Sequence, residues 1–109
     1  MDLVNKKCVP CEGGTKPMTK EESQKYIAEA LGWNMTEDGK EIFKEFIRAD
    51  FSDAMKFVNK IAVIAEEEGH HPDIHIFYNK VRIELSTHAI GGLSENDFIV
   101  AAKINAIEK

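Results

Sequence analysis

All four histidines of this chain, His70, His71, His75 and His88, fall between residues 70 and 88. Histidine is the side chain whose unperturbed pKa lies nearest neutral pH, so it both gives and takes protons there. His70-His71-Pro72 follows Gly69, a natural helix stop, and Pro72 holds His71 extended. Adjacent extended residues point to opposite sides, so the two rings either flank a bound molecule or divide between a site and the interior. His88 comes after Ser86-Thr87, where an alternating strand ends, on the side of Arg82 and Glu84. Glu66 stands four residues before His70, within reach to bond that ring, fix its tautomer and raise its pKa. Glu67 and Glu68 read as a solvated acidic helix end, opposed to the helix dipole. His75 reads as a satisfied surface residue, Asp97 as a helix-capping carboxylate and Trp33 as a core or hairpin aromatic.

Three chemistries fit these residues on spacing alone. One is a metal site built from His70, His71, His88 and Asp73 or Glu66. The helical His-pair spacing is absent, however, and adjacent histidines rarely both reach one metal. The second is acid–base catalysis on a small molecule. The third is a non-catalytic binding module in which the histidines are structural.

Cys8-Val9-Pro10-Cys11 is the other cluster with chemistry in it. Its spacing suits half a zinc site or a redox pair, but there is no second cysteine pair. The Glu12-Gly13-Gly14-Thr15-Lys16-Pro17 that follows reads as a loop rather than the start of a helix. The expectation is a flexible, reduced segment, with a zinc shared between subunits or an accessory redox role as alternatives.

The elements that position these residues are punctuated clearly. Residues 1–18 read as an irregular N-terminal arm and residues 19–109 as one domain. Thr19-Lys20-Glu21-Glu22 is a capping box for a helix with Tyr26, Ile27, Ala30 and Leu31 on one stripe, ended by Gly32. Asp50 or Ser52 opens a second helix with Met55, Val58, Ala62 and Ala65 as its stripe, flanked by Phe57, Ile61 and Ile64. Ser94-Glu95-Asn96-Asp97 caps a third, running through Phe98, Ile99, Ala102 and Ile107. Between the first two helices Asp38-Gly39 signals a two-residue hairpin. Its second arm is ambiguous, because Ile42, Phe43, Phe46 and Ile47 also suit helical spacing. Between the last two, Val81, Ile83 and Leu85 alternate with Arg82, Glu84 and Ser86, and Asn79-Lys80 turns back to an extended Ile74–Tyr78. The order is αββαββα. It implies an α+β fold: a four-stranded antiparallel sheet with three helices packed on one face.

A length of 109 residues argues for a single domain, and 43% hydrophobic with 30% charged residues is an ordinary globular balance. The formal charge is −5, with no Lys/Arg cluster, which argues against direct binding to nucleic-acid phosphates. No apolar run is long enough for a membrane span, and Met1–Lys7 lacks the apolar core of a secretory signal, so the expected compartment is the cytoplasm.

At its histidines the chain resembles the pterin-4a-carbinolamine dehydratase family. The signature reads Glu66-x3-His70-His71-Pro72-x5-Tyr78-x9-His88-x8-Asp97. Gly32-Trp33-Asn34, Ile42-Phe43-Lys44, Tyr78-Asn79-Lys80-Val81, Ser86-Thr87-His88 and Gly92-Leu93-Ser94 also look like family segments. The resemblance spans about residues 19–107, and the Cys8–Gly14 segment is similar to an extension in some microbial and organellar members. One departure is Gly69, where some members carry an acid. The resemblance tips residues 40–48 toward strand. It implies dehydration of a 4a-hydroxytetrahydropterin to quinonoid dihydropterin and water, without metal or cofactor. His70, His71 and His88 would be catalytic, and Glu66, Ser86, Thr87, Asp97 and Trp33 would surround the bound pterin, with Glu66 orienting His70. The family also implies a homodimer or homotetramer and a functional link to an aromatic amino acid hydroxylase in pterin recycling. Its other known roles are as a dimerisation partner in regulation and in molybdopterin-cofactor metabolism.

Overall fold

Three N-caps set where the helices begin. In the computed structural model, which describes residues 1–10 and 15–108, Thr19 opens α1 (Lys20–Ile27) with a reciprocal capping box to Glu22. Asp50 opens α2 (Phe51–Glu68) by accepting from the Asp53 amide, and Ser94 opens α3 (Glu95–Ile107) with a second capping box, to Asp97. Each cap supplies an acceptor to an amide that the helix leaves unpaired. Between the helices lie β1 (Asn34–Met35), β2 (Ile42–Ile47), β3 (Asp73–Phe77) and β4 (Lys80–Leu85). They form one antiparallel sheet in the order β1-β2-β4-β3. The α+β architecture read from the sequence is the one observed.

Alternation along β4 decides which face is the core. Val81, Ile83 and Leu85 are fully buried, while Arg82 and Glu84 between them are not. The register sets Ile42 opposite Leu85 and Phe46 opposite Val81 on one side of β4, and Ile74 opposite Ile83 on the other. α2 and α3 cover that face with Ala54, Phe57, Ile61, Phe98, Ile99 and Ile104. Phe46 ties the layers together, 4.9 Å from Phe57 and edge-on to Trp33, centroid to centroid.

Several local expectations change. α1 stops at Ile27, because Glu29 and Ala30 donate to Tyr26 and Ile27 carbonyls in tight three-residue turns. These turns send Ala30 and Trp33 inward and leave Leu31 75% exposed. The core stripe of α2 is Ala54, Phe57, Ile61 and Ala65, whereas Met55 and Val58 are only half-buried and Ala62 is exposed. The first hairpin has a four-residue loop: Thr36 N–H donates to the Glu41 carbonyl, and Gly39 takes φ +70° beyond a turn rather than at its centre. The second hairpin turns on Tyr78-Asn79, with Tyr78 in the left-handed region at φ +55° and Phe77 paired to Lys80. Arg48 N–H donates to the Asn79 carbonyl at 2.8 Å, tying that turn to the end of β2. His88 does not end a strand: β4 stops at Leu85, and His88 opens a 3-10 turn, His88–Ile90.

Residues 1–10 lie along the domain. Leu3, in a 3-10 turn at Leu3–Asn5, is buried in the core, and Lys6 pairs with Glu95 of α3 at 2.9 Å. Cys11, Glu12, Gly13 and Gly14, including half of the CxxC motif, lie outside the described residues.

Gly69 ends α2 at φ +64°, and an added Cβ there would meet nothing within 4 Å. Its role is conformational rather than steric. Gly69→Ala is expected to lower the unfolding free energy by about 1 kcal/mol, and Gly69→Asn by less, because Asn tolerates this region. Urea denaturation checks both; equal losses would contradict the conformational account.

Candidate active site

Asp97 is the one fully buried carboxylate among the described residues. A carboxylate out of water needs both oxygens satisfied. Oδ1 accepts from His70 Nε2 at 2.6 Å; Oδ2 accepts from Thr87 Oγ1 at 2.8 Å and from the Ser94 amide at 3.0 Å. With the Thr87 hydroxyl proton committed to Asp97, Ser94 Oγ donates to Thr87 Oγ1 at 2.8 Å while accepting from the Asn96 amide. An ionised carboxylate only accepts, so the His70 proton sits on Nε2 and Nδ1 is the ring nitrogen left for a ligand. The His70 side chain is 12% exposed, so most of the ring is sheltered from solvent.

The turn after α2 separates the two adjacent histidines. Gly69 reverses the chain in the left-handed conformation, and the His70 amide still bonds the Ala65 carbonyl. His70 therefore points inward to Asp97, and His71 outward to Glu66 through its Nε2. The Glu66 pairing expected from the spacing thus goes to the neighbouring ring. His71 and Glu66 are both well exposed, so their bond adds little to stability.

A cavity of about 560 Å³ collects His70, His71, Ser86, Thr87 and His88, within the size range of small-molecule sites. Asp97 sits behind His70 and Thr87. His88 is exposed on its turn, whose base is pinched by a mutual backbone pair between Thr87 and Gly92. Ser86 and His88 also line a second, smaller recess of about 310 Å³ beside the first hairpin loop. Trp33 is elsewhere: it is 5% exposed in the core and donates from Nε1 to Asn105, toward the far end of α3 from Asp97. His75 lies on the open sheet face and bonds Glu84 at 3.0 Å. Among the described residues the set of three metal-capable side chains whose ligand atoms all come within reach of one another is Glu41, Asp73 and Glu84, and it contains no histidine.

The arm supplies residues that the sequence pattern did not place at this site. Cys8, Val9 and Pro10 line the same cavity. Glu68, expected to be solvated, has a side chain only 7% exposed; it accepts from the Cys8 amide at 2.8 Å and from Lys103 Nζ at 3.1 Å. The Cys8 amide, with Lys103, holds the Glu68 carboxyl below the ordinary carboxylate range. Burial, aided by the neighbouring Glu68 charge, pushes the Cys8 thiol up to about 12. At neutral pH Cys8 is a protonated packing group, and its Sγ donates to the Asn96 carbonyl.

Comparison with known proteins gives a consistent result. Residues 16–107 match the sequence model of the family described as pterin 4 alpha carbinolamine dehydratase. A protein of Nitrosospira multiformis assigned that same enzyme name is 50% identical over 106 residues, covering 97% of this chain and 92% of its own length. The crystal structure of a transcriptional coactivator/pterin dehydratase from Brucella melitensis superposes with a TM-score of 0.81 at 33% identity, over 86% of this chain and all of the other. A pterin dehydratase-like protein identified as a RuBisCO assembly factor in the alpha-carboxysome superposes with a TM-score of 0.60 at 25% identity, over 69% of this chain and 87% of the other.

The raised Cys8 thiol makes a direct prediction. In folded protein at pH 8, Cys8 is expected to resist iodoacetamide and to react fully once urea unfolds the chain, as read by peptide mass spectrometry. Rapid labelling of the folded protein would contradict its assignment as a packing group.

Proposed function

This chain belongs to the pterin 4 alpha carbinolamine dehydratase family of hydro-lyases, and from that premise we propose that His70, His71 and His88 carry the dehydration by proton transfer in the cleft. The observation that carries this reading is the buried Asp97–His70 bond, which leaves one histidine nitrogen free beside a cavity shared with two further histidines.

The reaction removes water across C4a and N5 of a 4a-hydroxytetrahydropterin. One group protonates the departing hydroxyl as the C4a–O bond breaks. Another takes the proton from N5 as the C4a–N5 double bond forms, giving quinonoid dihydropterin and water. The two transfers leave the acid deprotonated and the base protonated, and solvent exchange restores both. In this reading His70 and the exposed His88 serve as proton donors, His70 from its doubly protonated form, in which Asp97 holds the Nε2 proton and Nδ1 carries the one transferred, and His71 binds substrate or acts as base. These assignments permute without changing the balance. Ser86 and Thr87 offer polar contacts to the ring, and Glu66 orients His71. Trp33 supports the domain from the core.

The reading extends to a cytoplasmic homodimer or homotetramer that recycles oxidised pterin for an aromatic amino acid hydroxylase. An accessory role in regulation, assembly or molybdopterin-cofactor metabolism is the alternative. The two histidine–carboxylate pairs favour catalysis, because a purely structural partner has no need of a free imidazole nitrogen at a cleft.

Stopped-flow measurement of 4a-hydroxytetrahydropterin dehydration tests the proposal. His70→Ala and His88→Ala are each expected to lower kcat on the order of 10²–10⁴-fold, with unchanged circular dichroism. A wild-type protein that leaves the uncatalysed rate unchanged would contradict it.

A further inference from the structure

We infer that the N-terminal arm is a working wall of the catalytic cleft, with Val9 and Pro10 as positioning residues for the pterin ring. This inference rests on the dehydratase reading above. The family model begins only at residue 16 and so describes none of the arm, although the Nitrosospira relative aligns over 97% of this chain. Nevertheless Val9 and Pro10 line the cavity that holds His70 and His88.

The arm is held there by buried side chains. Asn96, 5% exposed, grips the Val9 backbone at both ends: its amide nitrogen donates to the Val9 carbonyl at 2.6 Å, and its amide oxygen accepts from Val9 N–H at 3.0 Å. The Cys8 amide donates to Glu68, whose other oxygen is held by Lys103. Burying an amide and a carboxylate is costly unless they are fully bonded, so these residues fix a defined path for the backbone. Glu68 directly precedes Gly69-His70, and Asn96 directly precedes Asp97. The two helix ends that set the histidine–carboxylate pair therefore also set the arm.

This anchored backbone presents apolar side chains where a ligand enters. Val9 is 66% exposed although its backbone is clamped on both sides. A flat bicyclic ring gains by covering such a surface, and a rigid surface costs little ordering on binding. The arm then supplies an apolar boundary, and His70, His71 and His88 supply the proton chemistry.

The test compares wild type with Val9→Gly, Val9→Ile and Asn96→Ala in the stopped-flow dehydration assay, together with thermal melting. Val9→Gly is expected to raise KM about tenfold, with kcat within about twofold and the melting temperature unchanged. Val9→Ile should restore the wild-type KM. Asn96→Ala should raise KM similarly and also lower the melting temperature, since it releases a buried clamp. An active wild type whose KM is unmoved by Val9→Gly overturns the arm proposal alone. An inactive wild type overturns it together with the dehydratase reading.

Discussion

A single buried carboxylate holds the cleft end of this molecule together. Asp97 accepts from a histidine at the end of α2, a threonine after β4 and the backbone before α3. Three chain segments thus converge on one anion, and each donor loses its partner if the anion is removed. Such a network is strong only when complete, because the same low dielectric that strengthens its bonds penalises any group left out. Helix capping, ring orientation and the shape of the cleft floor are therefore consequences of one constraint.

The sheet delivers those segments to the same place. β4 lies between β2 and β3, and its core face is wholly apolar. Its end at Leu85 passes directly into Ser86, Thr87 and the His88 turn. α2 runs above it and ends at Gly69, so His70 drops from the helix layer toward the strand end. The left-handed glycine then assigns opposite directions to two adjacent imidazoles, one toward a buried acid and one toward an exposed one. The two rings work in different dielectric surroundings although they are neighbours in sequence.

What was legible in the sequence was local. Both capping boxes and the Gly69 stop were readable because their partners lie within a few residues. The alternation of β4 fixed its buried face for the same reason. The pairing of His70 with Asp97 was not readable from spacing, since it joins residues 27 apart through the packing of two helices on one sheet. The nearer candidate, Glu66, satisfied the helical spacing but was turned onto His71 by Gly69. The stripe of α2 was misplaced because apolar residues occupy two adjoining stripes, and only the position of the sheet selects between them. The arm's contacts with Glu68 and Asn96 span 60 and 87 residues and leave no periodic trace.

The account stands or falls on Asp97 acting through His70. The most direct measurement is a double-mutant cycle on kcat for dehydration, using Asp97→Asn, His70→Ala and the pair, with folding checked by circular dichroism. Asn donates where the carboxylate accepts, so it reverses the imidazole tautomer; in a serine-protease triad the equivalent change costs about 10⁴ in kcat. The account predicts a loss on the order of 10²-fold or more for Asp97→Asn in the wild-type background and almost none when His70 is already alanine. Independent losses that multiply in the double variant, or a fully active Asp97→Asn protein, would contradict it.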